Sequence, residues 1–236
     1  MPGKIPIIID DQHYEVEAGK TILEACKEFG IRIPTLCHFD GLVNIGACRM
    51  CLVEIEGTAK LLPACTTKVA TNQNIKTRTK KLLHYRRMTV ELLFAERNHI
   101  CSVCVANGSC ELQDLGYEVG MDHVSIPYLF QSCETDVSHK KYVMDHNRCV
   151  MCARCVRVCK DVEGAHTWDA MSRGYKARIV SDFKEKWGES TTCTSCGKCV
   201  QGCPVGALWP KEIVQGQLAK VPEKISELVE KRKMNL

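Results

Sequence analysis

Two stretches of the chain repeat one spacing. RCVMCARCVRVC sets cysteines at 149, 152, 155 and 159, and TCTSCGKCVQGCPVGA sets them at 193, 196, 199 and 203. Both read C-x2-C-x2-C-x3-C, an internal repeat that must be settled before any helix or strand is assigned. Four thiolates at this spacing suit a [4Fe–4S] cluster, and in paired runs the fourth cysteine ligates the other cluster. The pattern therefore predicts one [4Fe–4S] centre on Cys149, Cys152, Cys155 and Cys203, and another on Cys159, Cys193, Cys196 and Cys199. Pro204 stops the second loop and fixes its exit direction.

The rest of the cysteine inventory supports a metal reading. Seventeen cysteines in 236 residues is an odd number, which argues against complete disulfide pairing. The opening MPGKIPIIIDD has no apolar secretory core, and no run approaches the ~18 apolar residues of a membrane span. A reducing, cytoplasmic compartment is expected, where such cysteines bind metal. A net charge of +4 is mild and singles out no partner, so no nucleic-acid role is expected. Aromatics at 6% are sparse for one extensive core, which fits several small modules.

The amino-terminal part alternates short strands with one helix. KIPIIID and HYEVE read as strands joined at Asp10–Asp11–Gln12. Thr21 and Glu24 form a capping box opening a helix to about Phe29, and Gly30 stops it. Cys26 shares the apolar face of that helix with Ile22, Leu23 and Phe29, and so reads as a packing residue. Downstream, Cys37, Cys48, Cys51 and Cys65 follow C-x10-C-x2-C-x13-C, and four such thiolates on a glycine-containing loop suit a [2Fe–2S] cluster. Gly41 and Gly46 let backbone amides approach the sulfides. Zinc prefers paired knuckles and is the weaker reading.

Residues 79–97 read as a helix with Leu82, Tyr85, Met88, Leu92 and Ala95 on one stripe. Lys80, Lys81, Arg86 and Arg87 are expected to face solvent. After it, NHICSVCVANGSCELQ holds Cys101, Cys104 and Cys110, one thiolate short of a cluster site. His99, Cys133 and Cys26 are the candidates for the fourth ligand. His99 is local, and in an extended segment it projects to the same side as Cys101. A closure from Cys133 costs more chain entropy. The expected third [4Fe–4S] centre is thus His99, Cys101, Cys104 and Cys110, with the role of Cys133 open. Trp168 and Trp187, between the two ferredoxin-type runs, either cover the clusters or belong to ordinary core. EKISELVEKRKMNL reads as an amphipathic helix through Ile225, Leu228 and Val229, expected to pack or contact another subunit.

The order of these motifs resembles a known family. CRMCLVEIEG and SCELQDLGYEVG are similar to the large iron–sulfur subunit of complex I, and the whole order to the amino-terminal region of [FeFe] hydrogenases. Up to about residue 212 the chain most resembles the HoxU-type diaphorase iron–sulfur subunits of bidirectional NAD(P)-linked [NiFe] hydrogenases, in their cyanobacterial form. The first two families carry histidine four positions before the first cysteine, in H-x3-C-x2-C-x5-C. Here that position is Arg97, which stays protonated and cannot ligate iron, and the spacing shortens to H-x-C-x2-C-x5-C, typical of the diaphorase subunits.

The resemblance implies an α+β fold with an amino-terminal β-grasp [2Fe–2S] ferredoxin domain (1–78) and a helical His/Cys [4Fe–4S] module (79–118). A carboxy-terminal two-cluster bacterial ferredoxin-like domain (140–212) and a subunit-contact helix (213–236) complete it. It implies an electron conduit with one [2Fe–2S] and three [4Fe–4S] clusters. The implied partners are a flavin subunit exchanging hydride with NAD(P)H and a [NiFe] hydrogenase small subunit, with a further [2Fe–2S] subunit as an additional candidate. No G-x-G-x-x-G, Walker or flavin fingerprint and no nucleophile–base pair is apparent, so no catalytic residue and no flavin or nucleotide on this chain is expected. Rival readings are the iron–sulfur subunit of a formate dehydrogenase, an [FeFe] hydrogenase or a complex I-type enzyme, a free multi-cluster ferredoxin, and a zinc scaffold.

Overall fold

The computed structural model describes residues 3–221 and 223–234. Strands β1 (Lys4–Ile9) and β2 (Gln12–Glu17) pair antiparallel. Asp10 and Asp11 both take positive φ (47° and 68°), the backbone a two-residue hairpin needs to match strand twist. The capping box forms: Glu24 N–H donates to Thr21 Oγ1 at 3.2 Å, and Thr21 N–H donates to Glu24 Oε2 at 2.7 Å. It opens α1 (Ile22–Glu28). Strands β3 (Leu52–Ile55), β4 (Leu62–Pro63) and β5 (Gln73–Lys76) complete a sheet of order β2-β1-β5-β3-β4 in which only β1 and β5 run parallel. This is the expected β-grasp arrangement. Ile7, Ile9, Val53 and Ile75 of the sheet form one core with Ile22, Leu23, Ala25 and Cys26 of α1.

Helix α2 (Lys80–Glu96) starts where Thr79 Oγ1 accepts from Leu82 N–H. Its buried face differs from the expected stripe. Leu82 and Ala95 are buried, but Tyr85, Met88 and Leu92 are exposed, while Arg86, Val90 and Glu91 turn inward. The cause is polar: Arg86 Nε and Nη2 donate to the carbonyls of Met50 and Leu52 at 3.1 and 2.9 Å. Glu91 accepts from Ser125 N–H at 2.7 Å. Periodicity missed a face organised by hydrogen bonds.

The short helix α3 (Glu111–Glu118) follows Cys110, and an irregular linker leads to β6 (Thr135–Asp136) and β7 (Tyr142–Asp145). β10 (Leu208–Pro210) joins them in the order β10-β7-β6, and hairpin β8–β9 (Trp168–Met171, Arg178–Ser181) fills the space between the two repeated runs. α4 (Arg154–Arg157) and α5 (Lys198–Gly202) are the matching helices of the repeat. The repeat extends to the backbone: Met151 and Ala153 take positive φ, as do Ser195 and Gly197 at the same register.

The last segment is shorter as a helix than expected. α6 begins at Glu223 and runs to Met234, while 211–221 crosses the middle cysteine loop, with Leu218 N–H donating to Val105 O at 3.0 Å. Asn235 and Leu236 lie outside the described residues. Ile225 and Val229 of α6 are buried against Phe39, Leu42 and Val158, whereas Leu228 is largely exposed.

Candidate metal centres

Cys37, Cys48, Cys51 and Cys65 come together, three of them buried and Cys48 partly exposed. Cys37 N–H donates to Cys48 Sγ at 3.4 Å. Hydrogen bonding with Cys48, helped by the amides of Cys48 and Ala47, pulls the Cys37 thiol down to about 5 while its partner is pushed up. Cys65 is lowered to about 7 by its bond with Cys51, which is raised in turn. In each pair one sulfur is thereby shifted towards the thiolate, the form iron requires.

The middle loop closes a cavity lined by His99, Cys101, Cys104 and Cys110, with Phe94, Gln113, Arg148, Val205 and Gly206 around them. His99 Nε2 is enclosed and has no hydrogen-bond partner. A buried polar nitrogen without a partner is costly, and three thiols in the same cavity supply the reason to keep it. Burial, reinforced by Arg148, lowers the His99 pKa to about 4, so the imidazole is neutral near pH 7 and its nitrogen is free to donate to a metal. The donor set therefore fits a cluster. Cys133 lies elsewhere: Arg97 Nη1 donates to its sulfur at 2.8 Å, and both line a different cavity.

In the repeated runs, the structure brings the fourth cysteines across. Cys159, Cys193, Cys196 and Cys199 line one cavity, together with Trp168 and Trp187. Cys203 sits instead with Cys149, Cys152 and Cys155, whose thiols it pushes upward electrostatically. Burial is the larger cause and takes Cys149 and Cys152 to about 12. Three buried thiols that resist ionisation on their own would ionise beside a strong positive charge, which iron supplies. Among the described residues, no three His, Cys, Asp or Glu side chains are placed to hold a single metal ion. Trp187 Nε1 donates to Cys193 Sγ at 3.2 Å, and Thr167 N–H donates to Cys159 Sγ at 3.3 Å.

The central set is adjacent to the other three. Gly206, three residues past Cys203, lies so close to Cys104 that a Cβ there would stand 2.5 Å from its sulfur. Arg157 Nη2 donates both to Cys152 O at 3.2 Å and to Cys37 O, and Nη1 donates to Val43 O at 2.9 Å. α4 and its π-helical continuation (Val158–Glu163) carry Cys155 to the central set and Cys159 to the outer one. The central cysteines are all buried; each outer set has a cysteine reaching the surface, namely Cys48, Cys101 and Cys196. Arg86, Arg157 and the Trp187–Cys193 bond escaped the sequence reading. A charged residue inside a ligand run, as Arg157 is in CVRVC, was the available signal.

These four sets define the class: a multi-cluster iron–sulfur protein of the electron-transfer type. Known families match each part. A 2Fe-2S iron-sulfur cluster binding domain matches residues 3–80, the NADH-ubiquinone oxidoreductase-G iron-sulfur binding region matches 86–125, and the ferredoxin-like domain of NADH-quinone oxidoreductase subunit 3 matches 141–209. The chain is 40% identical over 207 residues to the G 2 chain of the NADH-quinone oxidoreductase of Rhizobium meliloti, covering 86% of this chain but 24% of that protein. It is 36% identical to the NADP-reducing hydrogenase subunit HndD of Solidesulfovibrio fructosivorans, covering 89% of this chain and 37% of that one. The chain thus spans about a quarter to a third of the length of these two relatives. With the gamma subunit of the NAD-reducing hydrogenase HoxS of Cupriavidus necator it shares 33% identity over 89% of this chain and 88% of the relative. A solved NAD+-reducing [NiFe]-hydrogenase in the H2-reduced state contains a chain that superposes with a TM-score of 0.82 at 30% identity, covering 88% of each. The chain belongs to the family of the HoxS gamma subunit.

Proposed function

We propose that the chain is the electron-transfer subunit of a cytoplasmic NAD(P)-linked bidirectional hydrogenase. In this reading it relays single electrons between a flavin subunit that exchanges hydride with NAD(P)H and the small subunit of a [NiFe] hydrogenase. The ligand sets are Cys37, Cys48, Cys51 and Cys65 for one [2Fe–2S] cluster, and His99, Cys101, Cys104 and Cys110 for one [4Fe–4S] cluster. Cys149, Cys152, Cys155 and Cys203, and Cys159, Cys193, Cys196 and Cys199, hold two more, giving about fourteen irons per chain. The modules follow the boundaries 1–78, 79–118 and 140–212. The observation that carries the reading is the enclosed, partnerless Nε2 of His99 facing three thiols in a chain of this family.

Bound clusters supply reversible one-electron exchange. The protein's own part is to hold them apart from water and close to one another. The buried central cysteines keep solvent from the junction, and Arg157 holds the Cys37 loop against the Cys152 loop. Val205 and Gly206 press the chain after Cys203 against the His99 cavity. The His99 site and the two ferredoxin-type sites form the trunk, and the [2Fe–2S] site is a branch tied in by Arg157. A neutral imidazole in place of a thiolate removes one negative charge beside the iron and raises the potential of that centre.

Purification of the native assembly with its hydrogen-dependent NAD(P)+ reduction tests the reading. The expected result is co-elution with a flavin subunit and a nickel subunit, and H2-driven reduction. Elution alone at about its sequence mass of 26.5 kDa would make it a free carrier and sink the proposal. A complex I-type address is the second reading, favoured by the 40% identity to the Rhizobium meliloti oxidoreductase chain. It predicts co-elution with quinone-reducing subunits and no nickel.

A further inference from the structure

Arg97 and Cys133 line a cavity of about 1150 Å³ between the linker 131–138 and the β8–β9 hairpin, separate from the His99 cavity. Arg97 is 3% exposed. Its Nη1 serves Cys133 and its Nη2 donates to Ala177 O at 2.6 Å, but its Nε–H has no acceptor. Two more enclosed nitrogens without partners, Gln131 Nε2 and His146 Nδ1, line the same cavity. The segments that carry them are tied together at this wall of the cavity: Gln131 is two residues from Cys133, and Asn147, next to His146, donates to Cys133 O at 2.9 Å.

An isolated buried donor without an acceptor is an unfavourable feature that a fold removes unless something fills it. Three from segments tied together can serve one ligand as N–H donors, His146 in its Nδ1–H tautomer. The charge around them is mainly positive. Lys176, Arg178, Lys184 and Lys186 line the cavity, and none of them is in an ion pair among the described residues. Of the acidic residues there, Asp136 is already taken up by the N–H groups of Ser138 and Trp187 and by the Ser138 hydroxyl, leaving Glu134 and Glu185.

We infer that this wall binds a small free oxyanion, of the phosphate or carboxylate class, through Arg97 Nε, Gln131 Nε2 and His146 Nδ1. In the bound state His146 carries its proton on Nδ1 and donates it. The site has a consequence for redox control that rests on the ligation proposed above, whereas the binding itself does not. Arg97 is two residues from His99 and His146 three from Cys149. A bound negative charge there disfavours an added electron and lowers the midpoint of the nearby centres.

The test uses the full cluster-loaded chain and inorganic phosphate, titrated by calorimetry against chloride at constant ionic strength. Saturable one-to-one binding is expected, weakened about tenfold in Gln131→Leu and again in His146→Leu, each of which removes one donor. Arg97 is left intact because it also holds Cys133 and Ala177. Absence of saturable binding, or equal affinity in both variants and the parent chain, overturns the site. Binding that disappears when the chain is assembled with its partner subunits gives the wall to a partner's carboxylate and also overturns it. A bound isotherm with an unmoved midpoint overturns the redox coupling.

Discussion

Replacing Arg157 with leucine isolates the tie between the amino-terminal module and the central cysteine set. Arg157 is 7% exposed and sends four bonds to carbonyls: Nη2 to Cys37 and Cys152, Nη1 to Val43, and Nε to Ala153 at 3.2 Å. Ala153 O keeps a partner in the helix, because Arg157 N–H also donates to it. Leucine leaves Cys37 O and Cys152 O enclosed and unpaired, at about 1–2 kcal/mol each, or roughly 2–4 kcal/mol in all, while Val43, an exposed residue, can turn its carbonyl to water. The loss falls on residues 37–51, since Phe39 and Leu42 still pack on α6 and the sheet keeps its own core. Local opening of that loop should accelerate by about 30- to 10³-fold in amide hydrogen exchange of the loaded chain, while β1 and β2 keep their protection. Arg157→Lys, with one donor group where three carbonyls wait, should recover only part of it. Unchanged exchange over 37–51 would refute the tie. Equal acceleration through β1 and β2 would show general unfolding in its place.

Four further outcomes follow. Gly206→Ala sets a Cβ 2.5 Å from Cys104 Sγ and 3.2 Å from the Ala106 Cβ, so Cys104 must move; iron analysis should fall by about four per chain, and full iron content would show that the loop yields instead. Trp187→Phe keeps the ring but removes the N–H aimed at Cys193 Sγ, and should lower the midpoint of the Cys159/Cys193/Cys196/Cys199 centre; an unmoved midpoint would mean the sulfur does not depend on that bond. His99 is held near 4 against 6.5 for a free histidine, so between these values the unfolded chain takes up a proton that the folded chain refuses. In the iron-free chain its contribution to stability is therefore level above pH 6.5, falls by about 3 kcal/mol as pH drops towards 4, and is level again below; denaturant titration of the iron-free chain that shows no such fall would contradict the enclosed nitrogen. His99→Cys restores a fourth thiolate and should lower the midpoint of the His99 centre, an unchanged value removing His99 from the ligand set.

What could be read from sequence divides along physical lines. The cysteine runs and the Thr21–Glu24 box act over three or four residues, and local spacing determines what they do. The hairpin turn at Asp10–Asp11 is of the same kind. The face of α2 was not legible, because Met88 and Leu92 look like core in any periodic reading. What turns the helix is Arg86, whose acceptors on Met50 and Leu52 lie more than thirty residues away. The path of residues 211–221 was not legible for a related reason: Gly216 and Leu218 N–H groups bond to the Cys104 and Val105 carbonyls, which no local pattern announces. Cys133 stayed open in sequence because its partner Arg97 is defined only by the fold.

Four of the buried charges in this chain are arginines near cysteine loops: Arg86, Arg97, Arg154 and Arg157. Ligand loops cannot form helix or sheet ladders, since their backbone must bend around sulfur, and their carbonyls are left without partners. A guanidinium offers five donors in a rigid fork and meets several such carbonyls at once. Arg86 does this for the loop of Cys51, Arg157 for those of Cys37 and Cys152, and Arg97 for the turn before β9. Arg154 instead grips the Glu111 carboxylate with two bonds of 2.6 and 2.7 Å, joining α4 to the helix after Cys110. Such charges would be expensive in an apolar core; for Arg154 the Glu111 carboxylate, with a smaller contribution from the Cys152 and Cys203 sulfurs, favours the charged form. The arginines order loops that have no ladder, and the carbonyls and carboxylate that receive their hydrogen bonds make it tolerable to bury them. Apolar replacement of one of these arginines therefore differs from the usual removal of a buried ion pair, because the carbonyls it served remain behind with no solvent to take its place.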